Sequence, residues 1–330
     1  MQLHLNTPGA YLHVKDKMFE IRLKQEGEIK KHLFAAQKVT SILVATQAAL
    51  STDAIKLAMM FNVDIVFVEY DGQPFGRVWH SKLGSTTKIR KAQLEASLDK
   101  TGLKWILEWL TGKVTNQREF LMELKKHRKA KADFIQKAVD MLDGQVTKIA
   151  TTSGDSVQAV ADTLRGLEGT AGRYYFETLS ALLPDEYRFN GRSFRPAADP
   201  FNAFLNYSYG MLYGRVEKVL IIAGLDPYVG FMHRDDYNQL SFVYDFIEPY
   251  RIHAERVVYR LFSGKQVNKS HTERITNGYS LGKEGKALLV TKYNEYMEAD
   301  KIRHNGRNLT RAHAMQLDAH RFANELIGKL

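Results

Sequence analysis

The sequence predicts an α+β protein of two domains. A small N-terminal β-sheet domain spans residues 1–85, and a larger all-α domain spans residues 86–330. Three observations carry this. The first 70 residues alternate apolar and polar side chains in short β-rich runs, the later residues repeat apolar side chains every three to four positions, and the character changes between about residues 75 and 95.

In chain order, "GAYLHVKDKMFEIRLK" predicts two strands paired across Lys15-Asp16-Lys17. "TSILVAT" and "VDIVFVEYDG" read as short buried strands bounded by turn residues. Between them "STDAIKLAMMFN" predicts one helix, with Ser51 or Thr52 as its N-cap. Beyond the junction, "LEWLTGKVTNQREFLMELKKHRKAKADFIQKAVDMLDG" and "SVQAVADTLRGLEGTAGRYYFETLSALL" have the period of core-facing helices. "PDEYRFNGRSFRPAADP", rich in proline, is a loop or hairpin, and "FNAFLNYSYGMLYGRVEKVLIIAGL" is an apolar helix ending at Gly224.

Composition narrows the chemistry. There is no cysteine, so disulfides, thiolate nucleophiles and Cys-ligated metals are excluded, and any metal must sit on His and carboxylates. No window is apolar enough to cross a membrane, and the first residues lack a leader pattern, so a soluble, cytoplasmic protein is expected. The 47 Lys+Arg against 37 Asp+Glu leave a formal +10, which favours polyanionic partners.

Four residues stand out. Glu168 lies in the apolar helical window "RGLEGTAGRYYF", where a carboxylate is costly unless paired with Arg165 or Arg173 or bound to a cation. Its neighbours Gly169 and Gly172 suggest close approach to the backbone. His233 ends "AGLDPYVGFMH", a segment whose turn residues deliver it from a loop. Asp245 and Glu248, three apart in "LSFVYDFIEPYR", share one face of a helix that Pro249 should kink or restart. One imidazole and two or three carboxylates make a hard N/O donor set suited to Mg²⁺ or Mn²⁺, although a solvated helix face is the alternative for the pair. In a basic protein such a site would act on phosphodiesters.

Basic residues cluster in three places. Window 113–137 holds Lys113, Arg118, Lys125 and Arg128 among eight Lys/Arg and reads as a basic helix. The junction "GRVWHSKLGSTTKIRK" holds Arg77, Lys82 and Arg90, and "KIRHNGRNLTRAHAMQLDAHR" is the third cluster. Separated clusters suit an extended polyanion.

"EGTAGRYYF", "FRPAADPFNAFLNYSYGMLY", "GLDPYVGFMH" and "LSFVYDFIEPYR", in this order and at these intervals, resemble the CRISPR-associated integrase of spacer acquisition, the family numbered one among the Cas proteins. Tyr250 departs from the phenylalanine common there, and Arg251 matches the family arginine. The resemblance implies that Glu168, His233 and Glu248 bind a divalent cation, with Asp245 beside them as a catalytic residue holding a second ion, a bound water or the helix end. It implies a homodimer formed through the N-terminal domain, a small second CRISPR adaptation protein as partner, and double-stranded DNA as substrate. The implied chemistry is joining of a DNA 3′-hydroxyl to a repeat boundary by transesterification, with hydrolysis as the side activity. Arg251 is a candidate DNA contact, and Tyr175 and Tyr209 are candidate DNA-end contacts with core packing as the alternative. Two other readings stay open: a nuclease of branched or damaged DNA, and a non-catalytic basic DNA-binding scaffold.

Overall fold

The computed structural model describes residues 2–25, 28–61, 63–69, 72, 74–78, 86–233 and 239–329. The chain divides into two compact units, Met1–Leu83 and Gly84–Leu330.

In the first unit the strands are β1 (Gln2–Leu5), β2 (Ala10–Lys15), β3 (Met18–Gln25), β4 (Glu28–Ala35), β5 (Ser41–Val44) and β6 (Ala48–Leu50). Helix α1 (Thr52–Met60) follows, then β7 (Asp64–Val68) and β8 (Pro74–Val78). They form two four-stranded sheets, in the orders β1-β5-β7-β8 and β4-β3-β2-β6. The β2–β3 turn falls where the sequence puts it: Lys15 pairs with Met18, and Asp16 and Lys17 take φ of 49° and 58°. Two left-handed residues make the tight turn whose twist matches that of the strands. Ser51 caps α1, its hydroxyl accepting from Ala54 N–H at 3.1 Å. Leu12, Phe19, Ile42, Ala54 and Ile65 fill the core. Strand β4 leaves no trace in the apolar pattern because six of its eight residues are exposed, and its pairing with β3, with Phe34 at its end against the core, holds it.

The second unit is mostly helical but not all-α as expected, since two short β hairpins interrupt it. Its helices are α2 (Thr86–Ala96), α3 (Lys100–Lys126), α4 (Ala132–Ala150), α5 (Val157–Leu182), α6 (Pro200–Ala223), α7 (Ser241–Phe246) and α8 (Arg251–Ser263). A hairpin of β9 (Thr272–Ile275) and β10 (Gly278–Leu281) precedes α9 (Lys283–Asn294). A second hairpin, β11 (Lys301–His304) with β12 (Arg307–Thr310), precedes α10 (Arg311–Leu326). Asn305 and Gly306 turn the second with φ of 48° and 77°, an Asn-Gly turn signal that helical periodicity masks.

Three helix boundaries follow from local sequence. The stretch expected as one basic helix is a break: α3 ends at Lys126, and His127 and Arg128 carry the chain into a short 3₁₀ turn before α4. No apolar side chain between residues 125 and 131 offers a face to bury beyond Ala130, so nothing holds a helix there. Helix α6 starts at Asp199, whose carboxylate accepts from Asn202 N–H, and ends as expected at Gly224, left-handed at φ 83°. Pro249, which has no N–H to donate, sits in a 3₁₀ turn, Glu248–Tyr250, that separates α7 from α8.

Helix α3 is the axis of this unit. Trp109 packs its ring against Phe231 (6.2 Å between centroids), Phe242 (5.7 Å) and Phe246 (5.5 Å). The same indole thereby fixes the loop before His233 and the helix bearing Asp245. Gly112 lets α3 approach the 3₁₀ turn, since an added Cβ would lie 3.4 Å from Pro249 Cβ. Asn116 Nδ2 donates to Pro249 O at 2.8 Å across that contact. Among the described residues, no helix is long and apolar enough to cross a membrane.

Candidate active site

The apolar face of α3 runs through Ile106, Leu110, Val114, Leu121 and Leu124 and also includes Lys113 and Gln117, buried at 8% and 1% exposure. A lysine on the core side of a helix must meet acids. Lys113 Nζ donates to Glu168 Oε1 on α5 and lies 2.5 Å from Glu248 Oε2 on the 3₁₀ turn. Arg251, the first residue of α8, donates through Nε to the other oxygen, Glu248 Oε1, at 2.9 Å, and through Nη1 to the Tyr213 hydroxyl at 3.1 Å.

These charges set each other. Burial would raise the Glu248 carboxyl, but Arg251 and Lys113 outweigh it and hold the group at about 2. Burial likewise opposes the Lys113 ammonium, and Glu248 and Glu168 reverse that and raise its pKa. The Glu168 pairing expected with Arg165 or Arg173 does not form: Arg165 bonds Asp162, and Arg173 rests over the Tyr174 ring.

Asp245 and Glu248 part company. Asp245 is 1% exposed, and its oxygens accept from the N–H groups of Phe231 (2.5 Å), Met232 (3.0 Å) and His233 (3.1 Å). His233 Nδ1 lies 2.6 Å from Asp245 Oδ1. The carboxylate therefore shapes the loop and orients the imidazole, leaving Nε2 as the ring nitrogen free to act. With both oxygens engaged by this loop, Asp245 anchors it.

Glu168, His233, Glu248, Lys113 and Arg251 line one cavity of about 590 Å³ with Tyr209, Tyr213 and Glu255. Beside Glu168 the wall is bare: a Cβ at Gly169 or Gly172 would meet nothing within 4 Å, so a ligand has room against α5. Among the described residues, no three His, Asp or Glu side chains stand close enough to ligate one ion. Yet Glu168 and Glu248 already converge on one cation, the Lys113 ammonium, and Glu248 Oε2 has no hydrogen bond of its own. Two carboxylates and an imidazole nitrogen are the donors that Mg²⁺ or Mn²⁺ takes, so the residues fit such an ion in type once Lys113 yields its place.

Of the basic residues nominated as DNA contacts, Arg251 alone among the described residues reaches this cavity, as partner of Glu248. Arg77, in the N-terminal unit, lies 3.8 Å from Asp64, and Arg90 lies 3.8 Å from Asp226. Lys125 bonds Gln136, Arg128 sits over the Tyr259 ring, and Lys82 falls outside the described residues. Tyr175 is wholly buried, whereas Tyr209 lines the cavity with its hydroxyl donating to Glu255 at 2.7 Å. Sequence reasoning took Lys113 for a surface charge and passed over Gln117, Arg192 and Glu255. The signal for Lys113 and Gln117 was available: both fall on the three-to-four repeat that the apolar residues of α3 occupy.

The family model for CRISPR associated protein Cas1 matches residues 3–295. The CRISPR-associated endonuclease Cas1 1 of Archaeoglobus fulgidus is 33% identical, over 97% of this chain and 94% of its own. Among solved structures, a casposase bound to integration product superposes with a TM-score of 0.85 at 20% identity, covering 100% of this chain and 91% of that one. A Cas6-RT-Cas1–Cas2 complex gives a TM-score of 0.77 at 19% identity, covering 100% of this chain and 35% of that one. The match along nearly the whole chain, with the four motifs gathered around one cavity, means that this chain belongs to the Cas1 family of CRISPR-associated proteins.

Proposed function

We propose that the protein is a divalent-metal-dependent DNA endonuclease and integrase of CRISPR adaptation, joining the 3′-hydroxyl ends of short DNA fragments to a repeat boundary by transesterification and also cleaving DNA. The observation that carries this reading is the convergence of Glu168 and Glu248 on one cation in a cavity that His233 also lines. Glu168, His233 and Glu248 would hold Mg²⁺ or Mn²⁺, which when bound would polarise a phosphoryl oxygen and lower the pKa of a nucleophilic hydroxyl.

The chain's own groups do the rest. Asp245 fixes the tautomer and aim of His233, and Arg251 keeps Glu248 ionised. The buried aromatic cluster around Trp109 keeps the loop and α7 rigid, so the donors are held in place rather than ordered at each turnover. A cytoplasmic homodimer working with a small second Cas protein on double-stranded DNA accords with the family, and the relative solved as a Cas1–Cas2 complex lends support.

The test is a plasmid carrying a CRISPR repeat, offered with short duplexes that end in 3′-hydroxyls, with and without Mn²⁺. Joined products that need the metal and vanish in Glu168→Ala are expected. Nicked products alone would sink integration and leave a nuclease, and DNA binding with neither joined nor nicked products in Mn²⁺ would leave the scaffold reading.

A further inference from the structure

The cavity holds four cationic side chains, and three are accounted for. Lys113 and Arg251 pair with Glu168 and Glu248, and Arg173 is exposed, so water solvates it. Arg192 is different. It stands in the loop between α5 and α6, with its guanidinium 5.6 Å from the Phe176 ring centroid and 5.5 Å from that of Tyr209. Its Nη1 donates to Asn202 Oδ1 and its Nη2 to Asn206 Oδ1 at 2.8 Å, both neutral acceptors. No carboxylate of the described residues forms an ion pair with it.

The acids nearby do not pair with it. Asp199 caps α6 and accepts from the Asn202 amide at 2.7 Å, Glu177 on the cavity wall is exposed, and Glu255, whose Oε1 accepts the Tyr209 hydroxyl, is pushed up by burial toward its neutral form. Burial pulls the Arg192 pKa down, as expected of a charge lacking a counter-ion. Asn202, itself 0% exposed, also takes Ser193 N–H and donates to Gly191 O, so the loop is built around the guanidinium's position. A part-buried cation held in a fixed place by neutral groups is costly unless an anion arrives to meet it.

We infer that Arg192, set by Asn202 and Asn206 against the Phe176 and Tyr209 rings, is a phosphate subsite that grips one backbone phosphodiester of the DNA strand entering the cavity. The planar guanidinium keeps unspent N–H donors at the cavity wall, and a phosphate accepts such donors in pairs. This rests on DNA being the substrate, and it deepens that reading by placing one phosphate on the Tyr209 side of the metal-type residues.

The experiment uses the full chain in EDTA, with single-stranded oligonucleotides labelled for fluorescence anisotropy. Each carries one uncharged methylphosphonate linkage, moved stepwise along the strand. Arg192→Gln is expected to weaken binding of the unmodified strand roughly tenfold or more. At one linkage the methylphosphonate should weaken the unsubstituted protein while leaving Arg192→Gln indifferent, and thermal melting of the variant should be unchanged or raised. Equal sensitivity of both proteins at every linkage would overturn the subsite. So would a variant that melts lower but binds as before, since that is the mark of a purely structural arginine. Because no metal is present, failure of the metal-dependent chemistry would leave this measurement standing.

Discussion

Each unit of the molecule buries a carboxylate between two basic groups, with different consequences. In the N-terminal sheet Glu20 is 1% exposed, with His13 Nε2 at 2.8 Å and Arg22 donating at 2.6 Å. His13 faces Glu20 across the β2–β3 ladder and Arg22 is two residues on, so strand register alone assembles the group. In the helical unit Glu248 meets Lys113 from 135 residues earlier, and that lysine is shared with Glu168 from a third helix. The first cluster is local and lines no described cavity; the second is assembled by tertiary packing and opens onto about 590 Å³ of space. Buried charge becomes chemistry where its counter-ion can be exchanged for a ligand.

The largest effect should separate the two clusters directly. Glu248→Gln is expected to lower metal-dependent DNA cleavage on the order of 10³-fold, the equivalent of several kcal/mol of transition-state stabilisation. It also strands Arg251 without its acid and leaves Lys113 with Glu168 alone, a loss of about 3 kcal/mol that calorimetry would register as a melting temperature lower by about 6–12 °C. Glu20→Gln should leave cleavage per folded molecule unchanged. A Glu20 variant as inactive as the Glu248 variant would erase the distinction drawn here.

Next comes Asp245→Asn, which can keep one oxygen on the Phe231 and Met232 N–H groups but turns an N–H₂ donor toward the His233 N–H and Nδ1. Losing such an orienting carboxylate should cost about 10- to 100-fold in turnover or in metal affinity. Isothermal titration with Mn²⁺ beside single-turnover cleavage would report which. No change in either would return Asp245 to a purely structural part.

Acid should weaken the units in sequence. Burial, with Arg311 and Arg256 nearby, lowers His253 in the helical unit from 6.5 to about 3. A depressed folded value means that the neutral imidazole's contribution is intact above pH 6.5 and is lost as the pH falls toward 3, by at most about 1.4 kcal/mol per pH unit. Glu248 adds to this loss between 4.5 and about 2. In the N-terminal unit, hydrogen bonds from Arg22 and His13 hold Glu20 at about 2, so its contribution persists down to about pH 4.5 and then fades. Hydrogen exchange at pH 5.5 should find the helical unit loosened first, and His253→Leu should remove the difference. Simultaneous loosening that His253→Leu leaves untouched would count against it.

The smallest effect concerns the break between α3 and α4. Lys125→Ala and Arg128→Ala remove a bond to Gln136 and a contact with Tyr259, outside the cavity. Stability should change by no more than about 0.5 kcal/mol in urea titrations, with cleavage unaffected. A large loss of cleavage would extend the working surface to this turn.

Some of this was legible residue by residue. The β2–β3 turn, the Ser51 cap and the Gly224 stop follow from local rules, because each involves groups within a few positions of one another. The strand β4 and the hairpin β11–β12 were not read, the first because it buries little and the second because its Asn-Gly turn sits in a basic stretch. For the site, Glu168, His233 and Glu248 were nominated and line one cavity. Asp245 was nominated too, but spacing could not tell that it would turn toward the His233 loop. Arg192 gave no signal, since its place depends on Asn202 and Asn206 one helix away.

By itself the sequence determined the change from a strand-rich to a helical part, the absence of thiol chemistry and the hard N/O character of the donors, because these are properties of residue type and near-neighbour period. Only the tertiary structure decided which charges meet. Lys113 between Glu168 and Glu248, Asp245 under His233 and Arg192 without an acid are outcomes of packing α3, α5, α6 and α8 around a common aromatic core, where the free energy of a buried charge depends on distances that no spacing along the chain encodes.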